Sequence, residues 1–273
     1  MTPVPAPRTY LLCEPVFFQV EYAINPWMDP DRPVDTELAI KQWHGLRDCL
    51  LALGHTVHLL DPEPGLPDMV YAANGVLAID GTAYGARFRH PQRTGEERAY
   101  RRWFQRNGWR FVTPVHVNEG EGDLAYVGGT VLGGYGFRTD LAAHRQVREV
   151  FGRPVISLEL VDPRFYHLDT ALGVLDPTGP GQIAYYPGAF SPASQAVLRH
   201  LFPDAVIADE ADAVAFGLNL VSDARHVVMN SDATAMAGKV AAAGYLPVPV
   251  ELSELRKGGG SVKCCVAELR DSR

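Results

Sequence analysis

DMVYAANGVLAIDGTAYGARF, residues 68–88, reads as a polar start, an apolar strand, a turn and a second strand. The same order returns in GDLAYVGGTVLGGYGFR at 122–138, YHLDTALGVLDPTGPGQIAYYP at 166–187 and FGLNLVSDARHVVMN at 216–230. Apolar residues at helical spacing then place helices over 94–107, 139–151, 192–202 and 232–243. Each helix leads into a further short apolar strand, in WRFVTPVHV, RPVISLELV, DAVIADE and LPVPVELS. The period, roughly 45–55 residues, lies in the range that marks repeat architectures. VKCCVAEL at 262–269 begins one more unit. The N-terminal segments complete it: a strand in YLLCEPVFFQV (10–20), a helix over 36–53 with Asp35 and Thr36 as candidate caps and Gly54 as its stop, and a strand in HTVHLLD.

About five ββαβ-type units predict an α/β ring with helices outside and the strand beginnings gathered at the centre. The competing arrangement is a doubly wound α/β sheet with coincidental hairpins, but no Gly-rich phosphate loop joins the first strand to the first helix. Nothing linker-like interrupts the pattern, so residues 1–273 read as a single domain, with the Pro-rich residues 1–8 as a loose leader.

Composition narrows the function. With 47% apolar and 21% charged residues the chain is globular rather than disordered. A net charge of −7, with no basic cluster beyond Arg101-Arg102, excludes nucleic acid and anionic membrane as expected partners. The N-terminus lacks a basic stretch followed by an apolar core, and no apolar run approaches the ~18–20 residues of a membrane span. Cys13, Cys49, Cys264 and Cys265 form no disulfide framework and read as reduced thiols of a cytoplasmic protein. A homo-oligomer is compatible with all of this.

If the strand beginnings converge, Asp68, Asn74, Glu119, Glu121, Asp123, His167, Asp169, Asn219 and Cys264 face one another. Carboxylates beside a thiol suit a planar cation such as a guanidinium, which pairs with carboxylate through two parallel hydrogen bonds. The thiolate is the reactive form of cysteine, and either a protonated His167 or the positive substrate favours it. The imidazole can then hand a proton to a departing amine and take one from water. Period-two alternation puts Asp169 on the strand face of His167, and Glu121 on that of Glu119.

The bland readings stand beside these. Cys264 and Cys265 are too close in sequence to bridge without severe strain and too close for a zinc cage, leaving two buried spacers or one reactive thiol with a passive neighbour. The two glutamates would otherwise be solvated turn residues. Gly258, Gly259 and Gly260 make either a flexible turn or a close backbone approach to a ligand.

PDMVYAAN, EGEGD, YHLDT and GGGSVKCC, in that order and over nearly the whole chain, resemble the motifs of the guanidino-group-modifying superfamily. Its members include dimethylarginine dimethylaminohydrolases, arginine deiminases, arginine dihydrolases and amidinotransferases. The resemblance implies a five-bladed α/β propeller, the pentein fold. It implies Cys264 as nucleophile with Cys265 pointing away along an extended strand, His167 as general acid/base, and Asp68 and Asp169 as guanidinium carboxylates. EGEGD is one residue longer than usual, and Glu121 is favoured over Glu119 as the catalytic carboxylate, with Glu119 and Asp123 in supporting substrate contacts. Arg93 and Arg138 resemble the arginines that hold an α-carboxylate, which implies an amino-acid substrate. Asn74 stands where dimethylarginine hydrolases and deiminases usually carry Asp, and with Asn25 in INPWM it looks more like the arginine dihydrolases.

The implied activity is cofactor-free hydrolysis of a guanidino group through a covalent cysteine thiouronium, with no metal required. Dimethylarginine going to citrulline and dimethylamine is the favoured reaction. Arginine dihydrolase or deiminase is the close alternative. A non-catalytic propeller that binds a partner is the remote one, and the Cys/His pair argues against it.

Overall fold

The structure, a computed structural model, describes residues 5–270. Strand β1 (Thr9–Cys13), helix α1 (Thr36–Ala52) and β2 (Thr56–Leu60) come first. Next come β3 (Val76–Ile79), β4 (Thr82–Gly85), α2 (Glu96–Arg106) and β5 (Arg110–Val112). Then follow β6 (Leu124–Val127), β7 (Thr130–Tyr135), α3 (Leu141–Phe151) and β8 (Val155–Glu159). After these lie α4 (Leu168–Ala171), β9 (Leu172–Asp176), β10 (Gln182–Tyr185), α5 (Pro192–Leu201) and β11 (Val206–Ile207). The chain ends with α6 (Glu210–Val214), β12 (Val221–Ser222), β13 (His226–Asn230), α7 (Thr234–Ala242), β14 (Leu246–Val250), α8 (Ser253–Arg256) and β15 (Ala267–Arg270).

The pairing repeats. β3 and β4 are antiparallel, and β4 then runs parallel to β5 across α2. The same antiparallel-then-parallel order joins β6-β7-β8 across α3, β9-β10-β11 across α5 and β12-β13-β14 across α7. In the remaining unit the first strand comes from the C-terminus. β15 lies antiparallel to β1, with Leu11 opposite Ala267, and β1 runs parallel to β2 across α1. β15 also pairs in parallel with β3, Leu269 opposite Ala78, so that two units merge into one six-stranded sheet beside three sheets of three strands. The fold is α/β, and the sequence period reappears as its pairing unit.

Local chemistry explains the hairpins. Asp80 and Gly81 both have positive φ, 49° and 73°, the left-handed pair that a two-residue turn needs to match strand twist. Asp35 caps α1 by accepting from Leu38 N at 3.0 Å, and α1 buries Ala39, Trp43, Leu46 and Leu50. That face packs into one apolar cluster with Tyr10, Leu12, Cys264 and Cys265, so the helix backs β1 and the turn that carries the two thiols.

Two expectations are corrected here. The strand expected over 10–20 ends at Cys13, because Pro15 cannot donate to a ladder; Val16 and Phe17 then turn out to solvent while Phe18 is buried. Of the expected loose leader, residues 1–4 lie outside the described residues. The rest is fastened: Ala6 N donates to Asp223 O at 3.0 Å and Arg8 N to His55 Nδ1 at 3.2 Å. Among the described residues no helix is long and apolar enough to cross a membrane.

Candidate active site

The polar residues at the strand beginnings do not sit in the strands. They occupy single turns immediately ahead of them: 3₁₀ turns at Pro67–Val70, Ala72–Gly75 and Gly120–Gly122, the short helix α4, and a turn through 262–265. A turn spreads successive side chains around an axis, whereas a strand alternates them. This difference decides which residues meet.

Cys264 is buried, and its Sγ donates to Asp169 Oδ2 at 3.2 Å. Asn219 Nδ2 donates to the same sulfur at 3.2 Å. Ala73 N donates to the Cys264 carbonyl at 3.0 Å, tying the thiol's turn to the Asn74 turn. Cys265 N donates to Ser261 O, so the pair lies in a turn and not in the expected extended strand. Burial, then the neighbouring Asp169 charge and Cys265, pushes the Cys264 thiol well above its ordinary range. Burial also raises Asp169 to about 7, against the hydrogen bond from Cys264 and the Lys263 ammonium. The resting pair is therefore thiol beside carboxyl.

His167 Nε2 lies 2.7 Å from Glu119 Oε2, which also accepts from Arg138 Nη1 at 2.8 Å. Burial works against the Glu119 charge, but Arg138 and then His167 hold this carboxyl well below the usual range. An ionised Glu119 makes Nε2 the protonated nitrogen and leaves Nδ1 without a protein partner. Glu121 is elsewhere. Its carboxylate accepts from Lys263 Nζ at 2.5 Å, Glu268 N at 2.9 Å and Arg270 Nη1. The preference for Glu121 is thus corrected: Gly120, at φ 52°, turns the chain so that the two glutamates diverge instead of sharing a face. His167 caps a helical turn and Asp169 lies within it, so neither sits in a strand.

The residues expected to bind substrate are already engaged with protein. Arg93 donates through Nε and Nη2 to Glu96, through Nη1 to Asn74 Oδ1 at 2.7 Å, and through Nη2 to the Asp68 carbonyl. Asp68 Oδ2 accepts from Tyr22 at 2.8 Å, and burial raises its carboxyl despite Arg93. Arg138 lies over the Tyr166 ring and donates to Ile24 O as well as to Glu119. Asn25 accepts from Trp27 N and donates to Gly258 O and to Tyr166 Oη, so it fastens the 22–28 loop over the site. Asp123 Oδ1 accepts from Leu168 N at the start of α4.

The glycine triplet is explained by protein, not ligand. A Cβ on Gly260 would lie 2.6 Å from the Tyr71 ring and 2.9 Å from Cys264 Cβ, and one on Gly259 2.6 Å from Asn25 Oδ1. Gly122 is held to glycine in the same way, since its Cβ would come within 2.7 Å of Asn74 Nδ2 and 3.1 Å of His167 Nδ1.

Six buried polar atoms lack a protein partner here: Asp68 Oδ1, Asn74 Nδ2, Asp123 Oδ2, His167 Nδ1, Asp169 Oδ1 and Ser261 Oγ. Each such atom costs about 1–3 kcal/mol unless something meets it. The set holds carboxylate acceptors for a cation and a free imidazole nitrogen. Sequence reasoning missed Tyr22, Tyr166, Glu96 and Lys263; Tyr166 and Lys263 stand inside the quoted YHLDT and GGGSVKCC, whereas Tyr22 and Glu96 lie outside the quoted motifs. Among the described residues no group of three or more His, Cys, Asp and Glu side chains is arranged to hold a metal ion.

A buried thiol, an oriented imidazole and paired carboxylates on α/β repeats define a cysteine centre of guanidino-modifying type. The chain is 57% identical to N(G),N(G)-dimethylarginine dimethylaminohydrolase of Mycobacterium tuberculosis over 97% of its own length and 87% of the relative's. It is 36% identical to the bifunctional arginine dihydrolase/ornithine cyclodeaminase AgrE of a Nostoc species, covering 96% of this chain but only 38% of that protein. Its structure superposes on the N-terminal domain of the arginine dihydrolase ArgZ bound to substrate with a TM-score of 0.91, at 33% identity over 97% of this chain and 98% of that one. No family model matches the sequence. The chain belongs to the guanidino-group-modifying superfamily and, within it, to the family of the dimethylarginine dimethylaminohydrolases.

Proposed function

We propose that the protein hydrolyses the guanidino group of an arginine-type amino acid, with Nω,Nω-dimethylarginine going to citrulline and dimethylamine as the favoured reaction. The observation that carries this is the pairing of a buried Cys264 thiol with Asp169, in a site whose imidazole is held by the ionised Glu119. Similarity to the mycobacterial dimethylarginine hydrolase supports the choice of substrate.

The chemistry follows from the free atoms. The guanidinium cation enters against Asp68 Oδ1 and Asp169 Oδ1, which are unpartnered, and its charge favours ionisation of Asp169 and of the thiol. The thiol proton passes to His167 Nδ1, and the Cys264 sulfur attacks the guanidinium carbon. His167 returns that proton to the departing dimethylamine, leaving a covalent S-alkylthiouronium. Neutral His167 then takes a proton from water through Nδ1, and the resulting hydroxide adds to the same carbon. Expulsion of the Cys264 thiolate leaves the protonated ureido group, whose hydroxyl proton passes to the released dimethylamine, and His167 returns its proton to the sulfur. Arg93 and Arg138 keep N–H groups beyond those bonded to protein, which supports their taking the substrate α-carboxylate.

One observation favours arginine dihydrolase as a second reading. Arg93 claims the Asn74 oxygen, so Asn74 presents its NH₂ to the cavity. A donor there cannot accept from a guanidinium but can hold a ureido oxygen, the group a second hydrolysis must retain. We also take the five pairing units to be blades of a closed ring, acting as a single catalytic domain in the cytoplasm, where the four free cysteines stay reduced.

The test is a product assay. The purified protein is incubated separately with asymmetric dimethylarginine, arginine and citrulline, and dimethylamine, citrulline, ornithine and ammonia are quantified by mass spectrometry. Dimethylamine with citrulline is expected. Ornithine from arginine with little dimethylamine would replace the favoured reaction by the dihydrolase, and silence from all three substrates would remove both.

A further inference from the structure

Asn219 lies in the turn between α6 and β12 and is fully buried. Its single amide makes four hydrogen bonds. Oδ1 accepts from Ser261 N and from Cys264 N, both at 3.1 Å. Nδ2 donates to the Asp169 carbonyl at 3.0 Å and to Cys264 Sγ at 3.2 Å. Two donors and two acceptors exhaust what a side-chain amide offers. The orientation is therefore fixed. A flipped amide would set NH₂ against two backbone N–H donors and its oxygen against the Asp169 carbonyl, losing all four bonds.

We propose that Asn219 is a further catalytic residue, whose amide N–H stabilises negative charge on the Cys264 sulfur while its oxygen fixes the turn that presents that sulfur. The inference rests on Cys264 being the nucleophile. The sulfur must become anionic twice, once to attack and once when it is expelled from the second adduct. At both moments it sits in a buried site where charge is poorly solvated, and burial is the first cause of the raised Cys264 thiol. A fixed neutral dipole serves there without reorganising. A cation in its place would also stabilise the thiolate, but it would repel a guanidinium from Asp169. A neutral donor leaves the carboxylates to the substrate. Asn219 also ties together three turns from separate pairing units, those of Asp169, of Asn219 itself and of Ser261–Cys264, so the donor, the sulfur and the carboxylate move as one body.

The test compares wild type with Asn219→Asp, which keeps the oxygen for the two backbone N–H groups and loses the donor, and with Asn219→Ala, which loses both without adding charge. The probe is 2-chloroacetamidine, a small cationic alkylating agent, with the modified cysteine located by peptide mapping and the inactivation rate followed against pH. Circular dichroism and thermal unfolding report folding. Both variants are expected to shift the inactivation profile to higher pH, by about one unit or more for Asn219→Asp, so that alkylation below the transition slows about tenfold. kcat should fall with substrate KM changed only a few-fold. Folded variants whose profile matches wild type overturn the inference, as does failure of both to fold, which makes Asn219 scaffold alone. If wild-type Cys264 is not the residue alkylated, it is the nucleophile assignment that fails, an outcome separate from either.

Discussion

His167 Nε2 and Glu119 Oε2 stand 2.7 Å apart, both fully buried, and the same carboxylate oxygen receives Arg138 Nη1 at 2.8 Å. This contact gives the imidazole its tautomer: an acceptor held ionised takes the proton-bearing nitrogen and turns Nδ1 toward the substrate space. In the proposed reaction Glu119 would act through His167, much as a buried carboxylate orients the base of a hydrolytic triad.

Exchanging the two glutamates should separate the roles. Glu119→Gln is expected to lower kcat by about 10²–10⁴ through loss of an oriented acid/base, with substrate binding largely kept. Glu121→Ala removes the carboxylate that Lys263 and Arg270 share and should lower Tm while kcat of the folded enzyme stays within a few-fold of wild type. Steady-state kinetics beside thermal melts read both, and a large kcat loss in Glu121→Ala alone would reverse the assignment.

Cys264→Ser should abolish turnover and still bind substrate, measurable by calorimetry. Cys265→Ala should turn over. Cys265 packs in the apolar cluster behind the site, so its loss is expected to lower stability by about 1–2 kcal/mol. Activity retained without Cys264 and lost without Cys265 would exchange the two thiols.

Substrate binding should depend on pH through Asp169. Its carboxyl is raised by burial to about 7, against roughly 3.9 in an unfolded chain. Between those values the folded protein holds the proton that the unfolded one has lost. The neutral carboxyl's contribution to stability is therefore fully present below about 4 and lost as pH rises through about 7. A guanidinium requires the ionised form, so KM for the cationic substrate should rise about tenfold per unit as pH falls below 7. Asp169→Asn should flatten that slope, and an unchanged slope in the variant would place the titration elsewhere.

Gly260→Ala places a methyl 2.9 Å from Cys264 Cβ and 2.6 Å from the Tyr71 ring. Overpacking of this kind costs about 1–3 kcal/mol, and here Cys264 or the Tyr71 ring must shift. kcat is expected to fall much more than Tm; equal activity would mean that the turn moves freely.

The repeat was legible because it is local. Alternation, a helical stretch and an Asp80-Gly81 turn each depend on residues a few positions apart, and in the structure they return as one antiparallel pair followed by one parallel pair. Even the cross-terminal unit was readable, since VKCCVAEL lacks a helix and second parallel strand of its own and the N-terminus supplies them. Period-two reasoning failed where Gly120, at φ 52°, bends EGEGD into a turn, because alternation holds only for extended backbone.

Sequence alone therefore determined the α/β class, the order of the units and the kinds of group brought to the strand beginnings. It did not determine partners. Whether Glu119 or Glu121 meets His167, whether the Asn74 oxygen or its NH₂ faces the cavity, and which amide touches Cys264 depend on residues 48, 19 and 45 positions apart. Such contacts carry no spacing in the chain. They are settled by packing and by charge: a buried carboxylate keeps its ionised form only where an arginine reaches it, and Arg138 reaches Glu119 while Arg270 and Lys263 reach Glu121.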